Sequence, residues 1–247
     1  MTATAPARSQ SSYFWLCLAV SSTVFYGFSI TYFQPMVAGV YPESSATVHL
    51  HGWTFFLWYL LLPVQACLIR ARRVALHRTL GTLSLGLAAT MVGTGMVVIG
   101  TQMNLSLGPD GSPFWRGMGP AVFATLLLVV VFYSRGVLAR RDRDRHRRLM
   151  LLASAGGMGA AGFRVMTQVL GFTVAAGVAG ILIPNLFIVA AILVDRHRGR
   201  PVHPVFRTGL PASVGVEVAA FLITPTPVGR ALAESLAWVG RALAPLY

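Results

Sequence analysis

Long apolar stretches separated by short polar connections dominate the pattern of the chain. Six of these stretches reach the roughly 20 residues that an α-helix needs to cross the hydrocarbon core of a bilayer. They cover residues 13–33, 51–69, 76–102, 119–138, 149–171 and 172–194. The sequence therefore predicts an all-α, polytopic transmembrane helix bundle that has the lipid bilayer as its partner.

The chain beyond the sixth stretch holds two further pieces. Residues 209–226 are apolar, but they contain Glu217 and several prolines, so they are predicted either as a short seventh span or as a re-entrant segment. The last piece separates charged from leucine-rich positions, as in an amphipathic helix that lies in the membrane interface. We divide the chain into a six-span bundle, 1–208, and a C-terminal part, 209–247.

Arginine clusters decide the predicted orientation. All 20 basic residues are arginines, and the formal net charge is +13. The clusters occupy the connections after the second, fourth and sixth stretches, at residues 70–73, 140–148 and 196–207, whereas the alternate connections hold almost none. Positive connections stay in the cytoplasm, which predicts a multi-pass protein of the inner (plasma) membrane with a cytoplasmic N-terminus. Arginines so placed face lipid headgroups, which argues against nucleic acid as a partner.

Two histidines are the first candidates for chemistry. His77 and His146 each open a glycine-rich span directly after an arginine-rich connection. The pattern places them at the same depth in helices that small residues allow to approach closely. Two facing imidazoles can bind the iron of haem b from both sides, or can join a single zinc or iron ion. The alternative is that both are interfacial side chains among arginines and bind no cofactor.

A second group of polar residues faces the bundle interior by helical periodicity. Arg164 is the one arginine well inside a span, where a charge needs a partner, a water-filled cavity or a bound anion. His51 and Gln65 share one face of the second span, with His51 near its outer edge and Gln65 near its inner edge. His51, Gln65 and Arg164 are the predicted pocket residues, and His51 and Arg164 would lie at similar depth on the external side. The predicted ligand is a quinone or another small electron donor or acceptor, an anion or a second metal. Snorkelling of Arg164 and interfacial anchoring of His51 are the alternatives.

Asp195 and His203 follow the sixth span at the same side as the two histidines. A carboxylate and an imidazole can both bind a metal, so these residues are weaker metal-ligand candidates. Their spacing matches no tight ligand motif, and a solvated loop is the alternative.

The same residues carry a resemblance. Residues 51–65, 76–81, 146–164 and 195–204 resemble a group of uncharacterised bacterial multi-span membrane proteins that are labelled as a domain of unknown function. More distantly, Leu76, His77 and Gly81 are similar to the Leu-His-x-x-x-Gly context of haem-binding histidines in b-type transmembrane cytochromes. That second resemblance implies electron transfer through haem b. The fourth span has no histidine, so at most one haem is implied.

Three functional hypotheses follow. The first is a haem- or metal-associated redox protein for electron transfer, with the histidine pair as ligands. The second is a small-molecule transporter with a pathway lined by Gln65, Arg164, Asn185 and Glu217. The third is a membrane metal-dependent hydrolase in which Asp195 or His203 joins the histidine pair around zinc. The sequence contains no phosphate-binding loop, dinucleotide fingerprint or serine-nucleophile elbow.

Overall fold

The structure is a computed structural model that describes the backbone of residues 5–247 and the side chains from residue 12 onwards. Within that part of the chain all regular structure is helical. The helices are α1 (Ala5–Phe28), α2 (Gln34–Val37), α3 (Ala46–Arg70), α4 (Val74–Ser106), α5 (Pro113–Leu138), α6 (Arg143–Gly156), α7 (Gly159–Leu170), α8 (Val174–Leu182), α9 (Asn185–His197), α10 (Pro204–Ile223) and α11 (Pro227–Ala242). A π-helical turn, Ser29–Phe33, joins α1 to α2.

Six helical segments of the described chain are long and apolar enough to cross a membrane. They are Ser12–Val37, Ala46–Arg70, Val74–Ser106, Pro113–Leu138, Val174–His197 and Pro204–Ile223. Helices α6 and α7 are bent by 49° and form a seventh candidate if the pair counts as one span. The predicted all-α polytopic bundle is confirmed. Residues 209–226 belong mostly to α10, a continuous helix of 20 residues.

A hydroxyl group from another helix explains the bend in the fifth apolar stretch. Tyr59 of α3 donates its hydroxyl proton to the carbonyl oxygen of Ser154 at 2.7 Å. The N–H of Met158, which would serve that carbonyl in a regular helix, bonds to Ala155 instead. A side chain inserted into the hydrogen-bond ladder bends a helix, so α6 ends at Gly156.

The main core lies between α1, α3, α4, α5, α6, α7, α9 and α10. Its fully buried side chains include Val20, Val24, Tyr59, Met91, Leu152, Ile188 and Phe206. Small residues bring other helices into backbone contact: a Cβ atom on Gly162 of α7 would lie 2.1 Å from the carbonyl oxygen of Gly180 in α8. In lipid, such close approach supplies the van der Waals contact that holds helices together.

The three arginine-rich connections lie at one end of the bundle. Arg70, the last residue of α3, lies over the ring of Phe14 in α1, with its guanidinium carbon 5.7 Å from the ring centroid. Arg148, at the start of α6, pairs with Asp195 near the end of α9. We call this the arginine-rich end and the other the arginine-poor end.

Helix α11 packs one face on α4 toward the arginine-poor end. A Cβ atom on Gly100 would lie 2.8 Å from the backbone nitrogen of Gly240, and Arg241 donates to the amide oxygen of Asn104 at 3.1 Å. The other face of α11 carries Trp238, which is 64% exposed. The location of α11 in the membrane interface stays a prediction.

Candidate functional site

His77 and His146 meet at the arginine-rich end. Each is the fourth residue of its helix, α4 and α6 respectively. The two ring centroids are 6.3 Å apart, and the ring planes are nearly perpendicular, at 87°. Both side chains are half-buried. The structure therefore brings together the two histidines that the sequence singles out.

A backbone carbonyl orients His146. Asp142 caps α6 by accepting from the N–H groups of Asp144 and Arg145, both at 3.1 Å. This cap fixes the first turn, in which the Nδ1 atom of His146 lies 2.8 Å from the carbonyl oxygen of Gly136. A carbonyl only accepts, so the neutral ring carries its proton on Nδ1 and has its lone pair on Nε2.

Gln65 of α3 contacts the other ring. In the amide orientation that satisfies both of its ends, its nitrogen donates to Nδ1 of His77 at 2.6 Å, and its oxygen accepts from the N–H of Gly81 at 3.0 Å. His77 then accepts at Nδ1, and its neutral ring carries the proton on Nε2. The two imidazoles are opposite tautomers: at Nε2, one presents an N–H group and the other a lone pair.

The two tautomers limit how this pair can bind a metal. Binding one metal through both Nε2 atoms requires the proton of His77 to move to Nδ1 and the amide of Gln65 to turn so that its oxygen accepts. The donors therefore fit a metal after one local rearrangement.

Arginines surround the histidine pair. Arg78 and Arg145 are the sequence neighbours of the two rings, and both are exposed. This positive environment opposes a bare divalent cation and favours a group that carries its own anionic substituents. Across the described residues, no group of three or more His, Cys, Asp or Glu side chains could hold a metal ion.

Asp195 lies in a buried ion pair. Its Oδ2 atom accepts from Nη2 of Arg148 at 2.5 Å and from the hydroxyl of Tyr13 at 3.3 Å. His203 instead caps α10, with Nδ1 accepting from the N–H of Val205 at 3.2 Å. Burial and the nearby Arg148 guanidinium lower the pKa of His203 below its ordinary value. The metal-ligand role predicted for Asp195 and His203 stays a prediction.

The role of Arg148 is the part of this site that sequence reasoning missed. The charge pattern groups Arg148 with the headgroup-facing arginines of residues 140–148, yet only 3% of Arg148 is exposed. It also donates to the backbone carbonyl and the carboxylate of Asp144, at 2.9 and 3.1 Å. A signal was present: Arg148 shares a helical stripe with Leu152 and Ala155, both buried.

The predicted polar pocket divides between the two halves of the bundle. Gln65 lies beside His77, whereas His51 and Arg164 lie in the arginine-poor half. The Nδ1 atom of His51 is 3.1 Å from the hydroxyl of Thr94. Arg164 donates to the carbonyl of Ala160 at 2.9 Å, and its guanidinium carbon lies 4.3 Å from the centroid of the Phe28 ring.

Aromatic side chains line the arginine-poor end near Arg164. The π-helical turn Ser29–Phe33 places Tyr32 against His49, with the hydroxyl 2.8 Å from Nδ1. Beside them opens a cleft of about 630 Å³ lined by Met36, His49, Tyr247 and residues 41–45. Single π-helical turns frequently occur at functional sites, so this cleft is a second candidate site.

Asn185 and Glu217 form a separate polar contact deep in the bundle. The side-chain nitrogen of Asn185 donates to Oε2 of Glu217 at 2.6 Å. The structure thus joins two of the four residues predicted to line a transport pathway. Arg164 and Gln65 have the other partners described above.

The helices define a class: the chain is a multi-pass integral membrane protein. Comparison of the chain with protein-family models, curated proteins and solved structures found no match. A more specific function therefore rests on the geometry of the sites.

Proposed function

We propose that this membrane protein binds haem b through His77 and His146 and transfers electrons. The observation that carries the proposal is the juxtaposition of the two rings. Two imidazole nitrogens on opposite sides of one metal, each at about 2 Å, hold their ring centroids roughly 6 Å apart. The spacing of 6.3 Å is compatible with that arrangement.

The number and environment of the ligands support haem over a bare ion. Haem b would need two ligands from the protein, and His77 and His146 would supply them. Zinc sites use three or four protein ligands. The propionates of haem b are anionic, so neighbouring Arg78 and Arg145 would stabilise them.

The protein residues have defined tasks in this proposal. The carbonyl of Gly136 holds the Nδ1 proton of His146 and so leaves the lone pair on Nε2. The amide of Gln65 contacts Nδ1 of His77, and once turned, its oxygen would accept the Nδ1 proton and leave the Nε2 lone pair of His77 available. When bound, the haem supplies a one-electron redox centre. A quinone or another small electron donor or acceptor would bind in the arginine-poor half, in the cleft beside His49 or near His51 and Arg164.

The distant similarity to b-type transmembrane cytochromes belongs to the same proposal. In both cases a histidine on a transmembrane helix is preceded by leucine and followed four residues later by glycine. Here a Cβ atom on Gly81 would have only the Gln65 amide nearby, at 3.8 Å. This clearance next to His77 leaves room for a flat ligand along α4.

Absorption spectroscopy tests the proposal. The full chain, expressed with haem available and purified in detergent, should show Soret and α bands that shift on reduction. His77→Ala and His146→Ala should each lose the six-coordinate spectrum, whereas His197→Ala, an exposed histidine at the same end, should keep it. A wild-type protein without these bands, or bands that survive both substitutions, would refute the histidine pair as axial ligands.

A further inference from the structure

The contact between Asn185 and Glu217 lies where a membrane-spanning segment is interrupted. Helix α8 ends at Leu182 and α9 begins at Asn185, with Pro184 between them. Proline has no N–H, so the continuous hydrogen-bond ladder is lost at this point. Interrupted helices in membranes expose backbone carbonyls and side chains that bind ions.

Asn185 uses both protons of its amide nitrogen at this break. One goes to the carbonyl of Leu182 at 3.2 Å, and the other goes to Oε2 of Glu217 at 2.6 Å. Only 7% of Asn185 and 1% of Glu217 are exposed. The carboxyl group of Glu217 therefore faces a neutral amide in a site closed by the packed helices.

No cation lies beside Glu217 on the described elements that pack against α10. Helix α8 contains no ionisable residue, and Asp195 of α9 is ten residues from Asn185, about 15 Å along the helix. None of the other ionisable groups on these described elements forms an ion pair with Glu217, whose side-chain partner is Asn185. They are Arg116, Tyr133 and Arg135 on α5, residues 143–148 on α6, Arg196 and His197 on α9, Arg207 on α10, and Arg230, Glu234 and Arg241 on α11. Arg148 is already paired with Asp195.

An ionised carboxylate without a cation is very unfavourable inside a bilayer, so the neutral acid is the stable resting form. The hydrogen bond from Asn185 lowers the cost of the ionised form, because an amide N–H bonds more strongly to a carboxylate than to a carboxylic acid. These two effects together make loss and uptake of one proton feasible at this position.

We infer that Glu217 is a proton-binding site within the membrane, with Asn185 as its positioning residue. In the exchange, the O–H bond of the Glu217 carboxylic acid breaks, its electron pair stays on the carboxylate, and the proton passes to water. Rebinding reverses the step. The inference is independent of haem, since it involves neither His77 nor His146.

Carbodiimide labelling tests this site, because dicyclohexylcarbodiimide reacts with protonated carboxyl groups in apolar surroundings. The full-length protein in detergent would be labelled over a range of pH, and adducts would be located by mass spectrometry. We expect an adduct on Glu217 near neutral pH that declines as the pH rises, and no adduct there in Glu217→Gln. Glu234→Gln, which changes an exposed carboxylate on α11, should leave the labelling of Glu217 unchanged.

The positioning role of Asn185 has a separate readout. Asn185→Leu removes the hydrogen bond to the ionised form, so the pH of half-maximal labelling should rise by about 1 to 2 units. Wild-type protein that stays unlabelled at Glu217 at every pH, or is labelled equally from acid to alkaline pH, would overturn the inference. An unchanged midpoint in Asn185→Leu would overturn the assignment of Asn185. The wild-type pH profile decides the main point even if a variant fails to fold.

Discussion

Arg148 and Asp195 show at the residue scale what a buried charge requires. Their side chains are 4% and 1% exposed, and Arg148 is paired with both Asp195 and the exposed carboxylate of Asp144. Removing one partner of such a pair leaves an uncompensated charge in a low dielectric, which costs about 3–5 kcal/mol. Replacing both partners with apolar residues of similar size is often close to neutral.

This asymmetry gives a prediction. Asp195→Leu should lower the free energy of unfolding by about 3 kcal/mol, and the double variant Arg148→Met with Asp195→Leu should recover most of the loss. Thermal unfolding of the detergent-purified protein measures both effects. Arg145→Met, an exposed change on the same helix, serves as the control and should cost less than about 0.5 kcal/mol. If Asp195→Leu were as stable as Arg145→Met, the Arg148–Asp195 pair would contribute little to the free energy of unfolding.

For individual residues, the sequence predicts which side chains are candidates for a site better than it predicts their hydrogen-bond or ion-pair partners. The histidine pair was predictable because His77 and His146 open similar spans after similar connections, so topology alone brings them to one level. The partner of Asp195 was not predictable, because Arg148 lies 47 residues away and Tyr13 lies 182 residues away. Long-range contacts of this kind depend on how the helices rotate against each other.

At the scale of helices, the bend between α6 and α7 is likewise a feature that depends on a long-range contact. Apolar length predicts the existence of a span, since it depends only on local composition. It does not predict the break after Gly156, which depends on the Tyr59 hydroxyl of α3. Sequence spacing does predict the separation of Gln65 and His51, since periodicity puts them on one face of α3 and 14 residues separate them by about 21 Å along the helix. They therefore belong to opposite halves of the bundle.

Tyr59→Phe tests the origin of the bend. The substitution keeps the ring and removes the proton donated to the Ser154 carbonyl, so that buried carbonyl loses its partner. We expect the freed carbonyl to accept the Met158 N–H and the helix to straighten, which slows hydrogen exchange between Met158 and the first turn of α7. The free energy of unfolding should fall by about 1 kcal/mol for the lost tyrosine hydrogen bond. Tyr26→Phe, at a tyrosine that is 56% exposed, should change neither measurement. Unchanged exchange in α7 for Tyr59→Phe would show that the bend has another cause.

On the scale of the whole molecule, charge asymmetry links the proposed sites. The histidine pair and the Arg148–Asp195 pair lie at the arginine-rich end. Arg164, His51 and the cleft beside His49 lie toward the arginine-poor end. If arginine-rich connections stay in the cytoplasm, the histidine pair would lie near the cytosolic surface and the cleft would open to the outside. Under the proposed function, electrons would then cross the membrane between the two.

Thiol labelling in intact cells tests this orientation. Cys17 and Cys67 would be replaced by alanine, and single cysteines would be introduced by Arg141→Cys at the arginine-rich end or Ser112→Cys at the arginine-poor end. Both positions are exposed, so either cysteine can react if the reagent reaches it. A membrane-impermeant maleimide should label the Ser112→Cys protein in intact cells and the Arg141→Cys protein only after lysis. The reverse labelling pattern would place the histidine pair on the outside. It would contradict an external electron donor or acceptor at the cleft beside His49.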